Sequence, residues 1–181
     1  MRYIVRRYKI KSAMFIEAKK LIGLPVAALE SQAKIGEIRE IIVDPENGRL
    51  LGFLVASGGL LSAKKALAIV DVRDFDPNGI VTASADNLVE PQEIVRINEV
   101  LVNKLFLIGK SAKTEAGKNL GVVEDLLVDT ETQSVAKYYL KDLLGNARIL
   151  TADKVVKIDK VIIFSDEVAE PPPGAVGAPA A

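Results

Sequence analysis

Hydrophobic and polar positions alternate through residues 35–55, IGEIREIIVDPENGRLLGFLV, and predict two strands joined by a turn. The alternation slips once, at Arg39-Glu40, which predicts a β-bulge or a barrel corner. The joining DPENG is typical of a turn, because the Asp44 side chain can bond the backbone and Asn or Gly at its end accepts positive φ.

The same pattern returns in residues 120–140, LGVVEDLLVDTETQSVAKYYL, with its slip at Glu124-Asp125. Between 35–44 and 120–129, eight of ten positions agree in character at a constant sequence offset of 85. Leu-Ile-Gly recurs at an offset of 86 and a Val-x-x-apolar-Asp pattern at 83. This period is too long for a solenoid, whose units span about 20–50 residues. The sequence therefore predicts two tandem small domains.

Further short strands and turns surround these hairpins. LPVAALE (24–30) and ALAIVDV (66–72) are each predicted to form a strand, and DPNG (76–79) predicts another hairpin. This pattern is typical of an all-β barrel or sandwich. The expected fold is mostly β, with two small barrels joined by a short helix.

One segment, PQEIVRINEVLVNKL (91–105), has the period of a helix instead. Pro91 suits the first helical position, and Ile94, Ile97 and Leu101 recur at helical spacing. We interpret it as a linking helix. The predicted organisation is a basic arm (1–13), a first barrel (14–88), a linking helix (89–106), a second barrel (107–168) and a disordered Pro/Gly/Ala tail (169–181).

The composition of the 181 residues, 49% hydrophobic and 27% charged, permits a packed core. The chain contains neither Cys nor His, which excludes disulfides, Cys nucleophiles, His bases and zinc sites with thiolate or imidazole ligands. We therefore expect a protein that is not an enzyme and has no cofactor.

Charge is distributed unevenly along a chain of zero net charge. The segment 1–20 carries seven bases and one acid, a net charge of +6, so the remainder of the chain carries −6. With two tyrosines interleaved, this arm could bind RNA, an anionic membrane surface or the body of the protein itself. The candidate anion- or RNA-binding residues are Arg2, Arg6, Arg7, Lys9 and Lys11.

No export or membrane segment is predicted. The longest uncharged run, LLGFLVASGGLLSA at positions 50–63, contains a Gly-Gly break and is shorter than the roughly 20 residues that a bilayer span needs. We therefore expect a cytoplasmic location.

Several residues are of types that can bind ligands, but a structural role explains each of them better. Asp44 and Asp129 lie at turns, where Asp bonds the local backbone, and DPENG lacks the spacing and final Glu of a calcium loop. Gly58-Gly59 lacks the context of a phosphate loop and predicts a turn or bulge. Tyr138 and Tyr139 point to opposite faces of a strand, so one of them is expected to pack in the core or at its rim.

The combination LIGLPV…IGEIREIIVDPENGRLLGFLV…IVDVRDF…NGIVTAS resembles the PRC-barrel family, and the second half resembles it again. The family includes the cytoplasmic domain of the photosynthetic reaction centre H subunit, at the membrane surface, and the C-terminal domain of a ribosome maturation factor, which helps to dock a ribosomal protein. In both, the barrel resembles an adaptor and not a catalyst.

The resemblance implies a non-enzymatic interaction or adaptor module with an unidentified protein partner. One alternative is an RNA- or ribosome-associated assembly factor that uses the basic arm. A further alternative is a peripheral membrane adaptor.

Overall fold

The computed structural model describes residues 14–58 and 62–169, and the basic arm and the Pro/Gly/Ala tail lie outside them, except for Ala169. The chain is mostly β, as predicted, with two seven-stranded sheets. The strands are β1 (Phe15–Glu17), β2 (Pro25–Ala28), β3 (Ala33–Val43), β4 (Leu50–Ala56), β5 (Lys64–Ala68), β6 (Val72–Asp76), β7 (Gly79–Thr82), β8 (Leu88–Val89), β9 (Ser111–Thr114), β10 (Asn119–Asp129), β11 (Ser134–Lys141), β12 (Ala147–Thr151), β13 (Val155–Ile158) and β14 (Ile162–Phe164).

The first sheet has the order β6-β7-β2-β3-β4-β5-β8, and the hairpin predicted from residues 35–55 forms its centre as β3 and β4. The predicted bulge is confirmed, because the register shifts between Ile38 and Glu40. The Asp44 carboxylate accepts the Glu46 N–H at 2.9 Å, and Gly48 adopts φ +70°. The turn therefore uses the chemistry that its sequence predicts.

The prediction of one strand over residues 66–72 is wrong. The chain leaves β5 at Ala68, makes a 3-10 turn over Ile69–Asp71 and begins β6 at Val72. Val70 at the middle of this turn is 78% exposed. A short run of apolar residues fits a buried strand, but periodicity alone does not reveal a corner within it.

The second sheet has the order β12-β11-β10-β9-β14-β13, and it repeats the register of the first. In β3 and β4, Ile38 pairs with Val55 and Val43 with Leu50; in β10 and β11, the residues 85 positions later form the same pairs. Both hairpins have two register shifts, also at equivalent positions. The bulge predicted at Glu124-Asp125 is confirmed, because one shift lies between Val123 and Asp125.

The beginning of the described chain belongs to the sheet of the other half. Strand β1 pairs with β10, with Phe15 opposite Asp129 and Glu17 opposite Leu127. A one-turn helix, α1 (Ala18–Leu21), follows and contacts β10 as well. The chain then crosses to the first sheet at β2, so the two halves are interlocked.

The helix predicted over residues 91–105 is shorter in the structure. A 3-10 turn, Pro91–Glu93, comes first, with reciprocal capping between Glu90 and Glu93, and α2 then covers Val95–Val102. Pro91 stands at the first helical position, as predicted, but of the 3-10 turn.

The inner faces of both sheets and parts of α1 contribute to one hydrophobic cluster. Two aromatic pairs lie in it, Phe53 with Phe75 and Tyr138 with Phe164, whose ring centroids are 6.2 and 5.5 Å apart. Tyr138 is 1% exposed, which confirms that it packs in the core. A second cluster lies between α2 and the outer face of the first sheet. Within the described parts of the chain, no helix has the length and apolarity needed to cross a membrane.

Candidate protein interaction site

The loop between β11 and β12 is held by one carboxylate. Asp142 Oδ1 accepts the backbone N–H groups of Leu144 and Asn146, each at 2.9 Å, and Oδ2 accepts the Asn146 side-chain amide at 2.9 Å. These bonds, the Asn146 side-chain amide foremost, hold the pKa of Asp142 below its ordinary value. Gly145 completes the turn at φ +86°. Local hydrogen bonds and not apolar burial therefore fix the loop.

This fixed loop presents two leucines to solvent. Leu143 is 95% exposed and Leu144 is 88% exposed. A fully buried leucine side chain is worth about 1.5–3 kcal/mol relative to an exposed one. Two consecutive exposed leucines offer more apolar surface than the single scattered apolar residues that are normal on protein surfaces, which makes this loop a candidate docking site.

A cleft of about 440 Å³ adjoins Leu143. Its floor is the place where β10 begins between β9 and β11, with Val122 opposite both Ser111 and Lys141. The strands approach closely there, because a Cβ on Gly121 would overlap the Lys141 carbonyl oxygen. The side chains that give the cleft its charge are Glu124, Lys141 and Asp142.

The cleft and the leucines together form what we call the leucine-loop site, defined by Val122, Glu124, Lys141, Leu143 and Leu144. Val122 is 39% exposed and adds to the apolar surface. An apolar centre with charged groups at its edge is the usual composition of a protein interface. The geometry therefore suits a partner segment that has apolar anchors and polar flanks.

Sequence reasoning did not single out these leucines. A signal was present, because a Leu-Leu pair stands 83 positions earlier at Leu60-Leu61, in the corresponding loop after β4. Gly59, Leu60 and Leu61 lie outside the described residues. Hydrophobic patterning alone marks leucines as core candidates, and only the turn residues around them indicate exposure.

The candidate residues of the basic arm, Arg2, Arg6, Arg7, Lys9 and Lys11, lie outside the described residues. The structure therefore does not test the prediction that the arm binds anions or RNA. The described chain begins at Met14, whose N–H donates to Thr130 Oγ1 at 3.3 Å and whose carbonyl accepts the Thr130 N–H at 3.0 Å. Met14, the residue that follows the arm in sequence, thus lies beside the turn that follows β10.

The two turn aspartates do not have identical surroundings. Asp44 is 6% exposed, and Arg96 of α2 donates to its Oδ1 at 2.9 Å while also contacting Glu46 and Glu99. Asp129 accepts the Glu131 N–H at 2.8 Å, the same turn bond that Asp44 makes. In the parts of the chain that the structure describes, no group of three or more acidic side chains is arranged to hold a metal ion.

The turns themselves meet at the junction of the two halves. Leu50 N–H donates to the Gln133 carbonyl at 2.8 Å, and Val135 N–H donates to the Gly48 carbonyl at 2.9 Å. Arg49 and Ser134 lie opposite each other between these bonds. The junction therefore joins the two sheets through backbone.

A comparison with protein families identifies one half of this arrangement. The family model of the PRC-barrel domain matches residues 14–87, from β1 to the 3-10 turn before β8. This chain carries a PRC-barrel domain. No curated protein matches the chain.

The leucine-loop site lies outside the matched PRC-barrel segment, in the half whose hairpin has the same register. Within the PRC-barrel domain, the corresponding loop follows β4 at residue 57. The matched segment also includes β1, which pairs with the other half.

Proposed function

We propose that the chain is a non-enzymatic adaptor that binds a protein partner through the leucine-loop site. The observation that carries the proposal is the exposure of Leu143 and Leu144 on a loop that Asp142 holds in place. The PRC-barrel domain supports it, because such a domain suggests an interaction module. A cytoplasmic location is part of the proposal.

The proposal also includes a second PRC-type unit in residues 107–168. Its support is the repeated register, since the strand pairs of β10 and β11 follow those of β3 and β4 at a constant sequence offset of 85. A second support is the parallel pair at the end of each unit, β2 with β7 and β9 with β14. Two related units would offer two related loops to one partner or to two.

The direct test is affinity capture from native lysate with the full chain and with the double variant Leu143→Ser, Leu144→Ser. Both leucines are exposed, so the variant should unfold at the wild-type temperature. A matched control is Val70→Ser, which removes an apolar side chain that is 78% exposed in the other half. We expect the wild type and the control to retain a partner that the double variant loses.

A captured protein supports the site only if the purified partner repeats the difference in a binding titration. Loss of two anchoring leucines should weaken binding by at least about tenfold, since hot-spot truncations cost about 2 kcal/mol or more. Equal affinity of wild type and double variant would refute the proposal.

A second candidate, an RNA- or ribosome-associated factor, depends on the five bases of residues 1–13. Nuclease treatment of the same lysate separates it from the first, because RNA-mediated capture disappears. Its affinity should fall with salt by about 0.7 log units per log unit of salt for each phosphate contacted on a single strand. The titration compares the wild type with Arg6→Gln, Arg7→Gln, and unchanged salt dependence would end this candidate.

A further inference from the structure

The first sheet has a covered outer face. Ile42, Leu54 and Ala66 lie on it, in β3, β4 and β5, and their exposed fractions are 0%, 5% and 0%. The cover is α2, whose Ile97 and Val100 belong to the same buried cluster. A short amphipathic helix is therefore enough to seal this face.

The equivalent face of the second sheet is partly open, since its Leu127 and Tyr139 are half-buried and other residues on it are exposed. Tyr139 of β11 and Ile149 of β12 are directly paired and therefore point to the same side. Ile149 is 58% exposed, and Phe15 of β1, beside Leu127 on this face, is 56% exposed. We call Phe15, Leu127, Tyr139 and Ile149 the open face.

Chain order indicates which segment belongs on the open face. Helix α2 leads into Leu107-Ile108-Gly109 of the second half, yet it packs on the first sheet. Likewise β1 and α1 lead into Leu21-Ile22-Gly23 of the first half, yet β1 pairs with β10 and the Lys19 N–H donates to Asp125 Oδ1 at 3.0 Å. Each sheet is thus contacted by the segment that leads into the opposite half. The residues next to β1 in that segment are 1–13.

The distribution of charge also favours residues 1–13 as the segment that binds the open face. Arg96 of α2 bridges Asp44 and Glu46, the acidic residues of the first turn. Their counterparts 85 positions later are Asp129 and Glu131, and among the described residues neither takes part in an ion pair. Residues 1–13 carry five bases and no acid, so they can supply the missing positive charge.

The distances that this requires are short. Met14 is hydrogen-bonded to Thr130, so residues 1–13 begin next to the acidic turn. Thirteen residues extend at most about 45 Å, and neighbouring strands are only about 4.8 Å apart, so the segment can cross β10 and β11 to β12. Ile4, Val5 and Ile10 supply its apolar side chains, and Ile-Val-Arg at 4–6 also occurs in the α2 region at 94–96.

We propose that residues 1–13 bind the open face of their own chain, with apolar side chains on Tyr139 and Ile149 and bases beside Asp129 and Glu131. The bound arm then covers the open face and neutralises the acidic turn that contains Asp129 and Glu131. This inference does not depend on the leucine-loop site.

The absence of native cysteine permits a direct test by disulfide trapping in the full chain. One variant combines Ile4→Cys with Ile149→Cys, and the matched control combines Ile4→Cys with Val70→Cys, both acceptors being exposed. In a glutathione redox buffer at low protein concentration, we expect the intrachain disulfide of the first variant to form at least roughly tenfold faster, because docking raises the effective concentration of the arm. Thr151→Cys, exposed on the same strand, is the reserve acceptor if Ile149→Cys lowers the melting temperature.

Charge provides the second readout of the same experiment. Adding Glu131→Lys, or raising salt to about 1 M, where the Debye length falls to about 3 Å, should slow trapping at position 149 and leave the control unchanged. Equal trapping at positions 149 and 70 would overturn the proposal. A disulfide between chains, with a rate that rises with protein concentration, would also overturn it by assigning the face to a second copy.

Discussion

Arg49 lies opposite Ser134, the residue 85 positions later, in an antiparallel bridge at the junction of the two halves. Because the same offset relates the registers of the two hairpins, this bridge joins equivalent positions. Two equivalent positions that face each other in antiparallel fashion lie on a local two-fold axis, the arrangement of an isologous dimer interface. The chain thus contains within itself the kind of contact that usually joins two subunits.

The junction contains one strained residue whose replacement should stabilise the protein. Gln133 adopts φ +53°, whereas its counterpart Gly48 adopts φ +70° without a Cβ. A left-handed conformation costs an L-residue about 1–2 kcal/mol, partly offset by the greater unfolded-state entropy of glycine. We expect Gln133→Gly to raise the free energy of unfolding by about 0.5–1 kcal/mol, measured by urea denaturation.

The control for this prediction is Gln133→Ala, which removes the side chain and keeps the strain, so stability should hardly change. Gly48→Ala should destabilise by about 1 kcal/mol, because its Cβ would meet nothing closer than the Tyr138 hydroxyl at 3.9 Å and only the strain remains. If Gln133→Gly destabilises the chain, the strain at this position is smaller than the entropic cost of glycine, and the prediction is wrong.

Close strand contact below the leucine-loop site makes Gly121 irreplaceable. It has φ +106°, and a Cβ there would overlap the Lys141 carbonyl oxygen. We expect Gly121→Ala to destabilise by about 3 kcal/mol or more, from strain and from the displaced backbone. Gly117→Ala isolates the strain, because φ is +85° there and nothing lies within 4 Å of the added Cβ. Its cost should be about 1 kcal/mol, and equal costs at both positions would contradict the overlap.

The local parts of this fold could be predicted from sequence. The hairpin at residues 35–55 and its bulge depend on alternation and on turn residues within one window, and the structure confirms both. The helix is shorter than its apolar spacing predicts, because Pro91–Glu93 forms a 3-10 turn and only Val95–Val102 is α-helical. The spacing of apolar residues does not show where the 3-10 turn ends and the α-helix begins.

The long-range parts could not be predicted. The pairing of β1 with β10 joins residues more than 100 positions apart, and nothing in the sequence around Phe15 indicates its partner strand. The leucine-loop site escaped for a different reason: an apolar pattern does not distinguish Leu143, held in solvent by a turn, from a leucine in the core. Exposure there depends on the hydrogen bonds that Asp142 makes within the loop, which are seen only in the structure.

Asp44 is predicted to stabilise the fold mainly through its ion pair with Arg96 of α2. Its carboxylate is 6% exposed and receives a 2.9 Å bond from Arg96. Asp44→Asn should therefore destabilise by about 1–2 kcal/mol, since charged hydrogen bonds contribute more than neutral ones. In an Arg96→Met background, Asp44→Asn should lower the free energy of unfolding by less than half as much, because the guanidinium that pairs with Asp44 is already absent. Additive effects in this double-mutant cycle, followed by urea denaturation, would show that the pair is not coupled.

Tyr138 is predicted to make stability fall at alkaline pH. Burial raises the pKa of its hydroxyl from 10 to about 12, so the folded state holds the proton more tightly than the unfolded state. The resulting stabilisation is fully present below pH 10 and is lost as pH rises through about 12; it amounts to roughly 2–3 kcal/mol. Lysines also titrate in this range, so the informative quantity is the difference in unfolding free energy between the wild type and Tyr138→Phe. Between pH 9 and about pH 12, the wild type should lose this amount of unfolding free energy relative to Tyr138→Phe. A difference that stays constant with pH would show that the hydroxyl ionises freely in the folded protein.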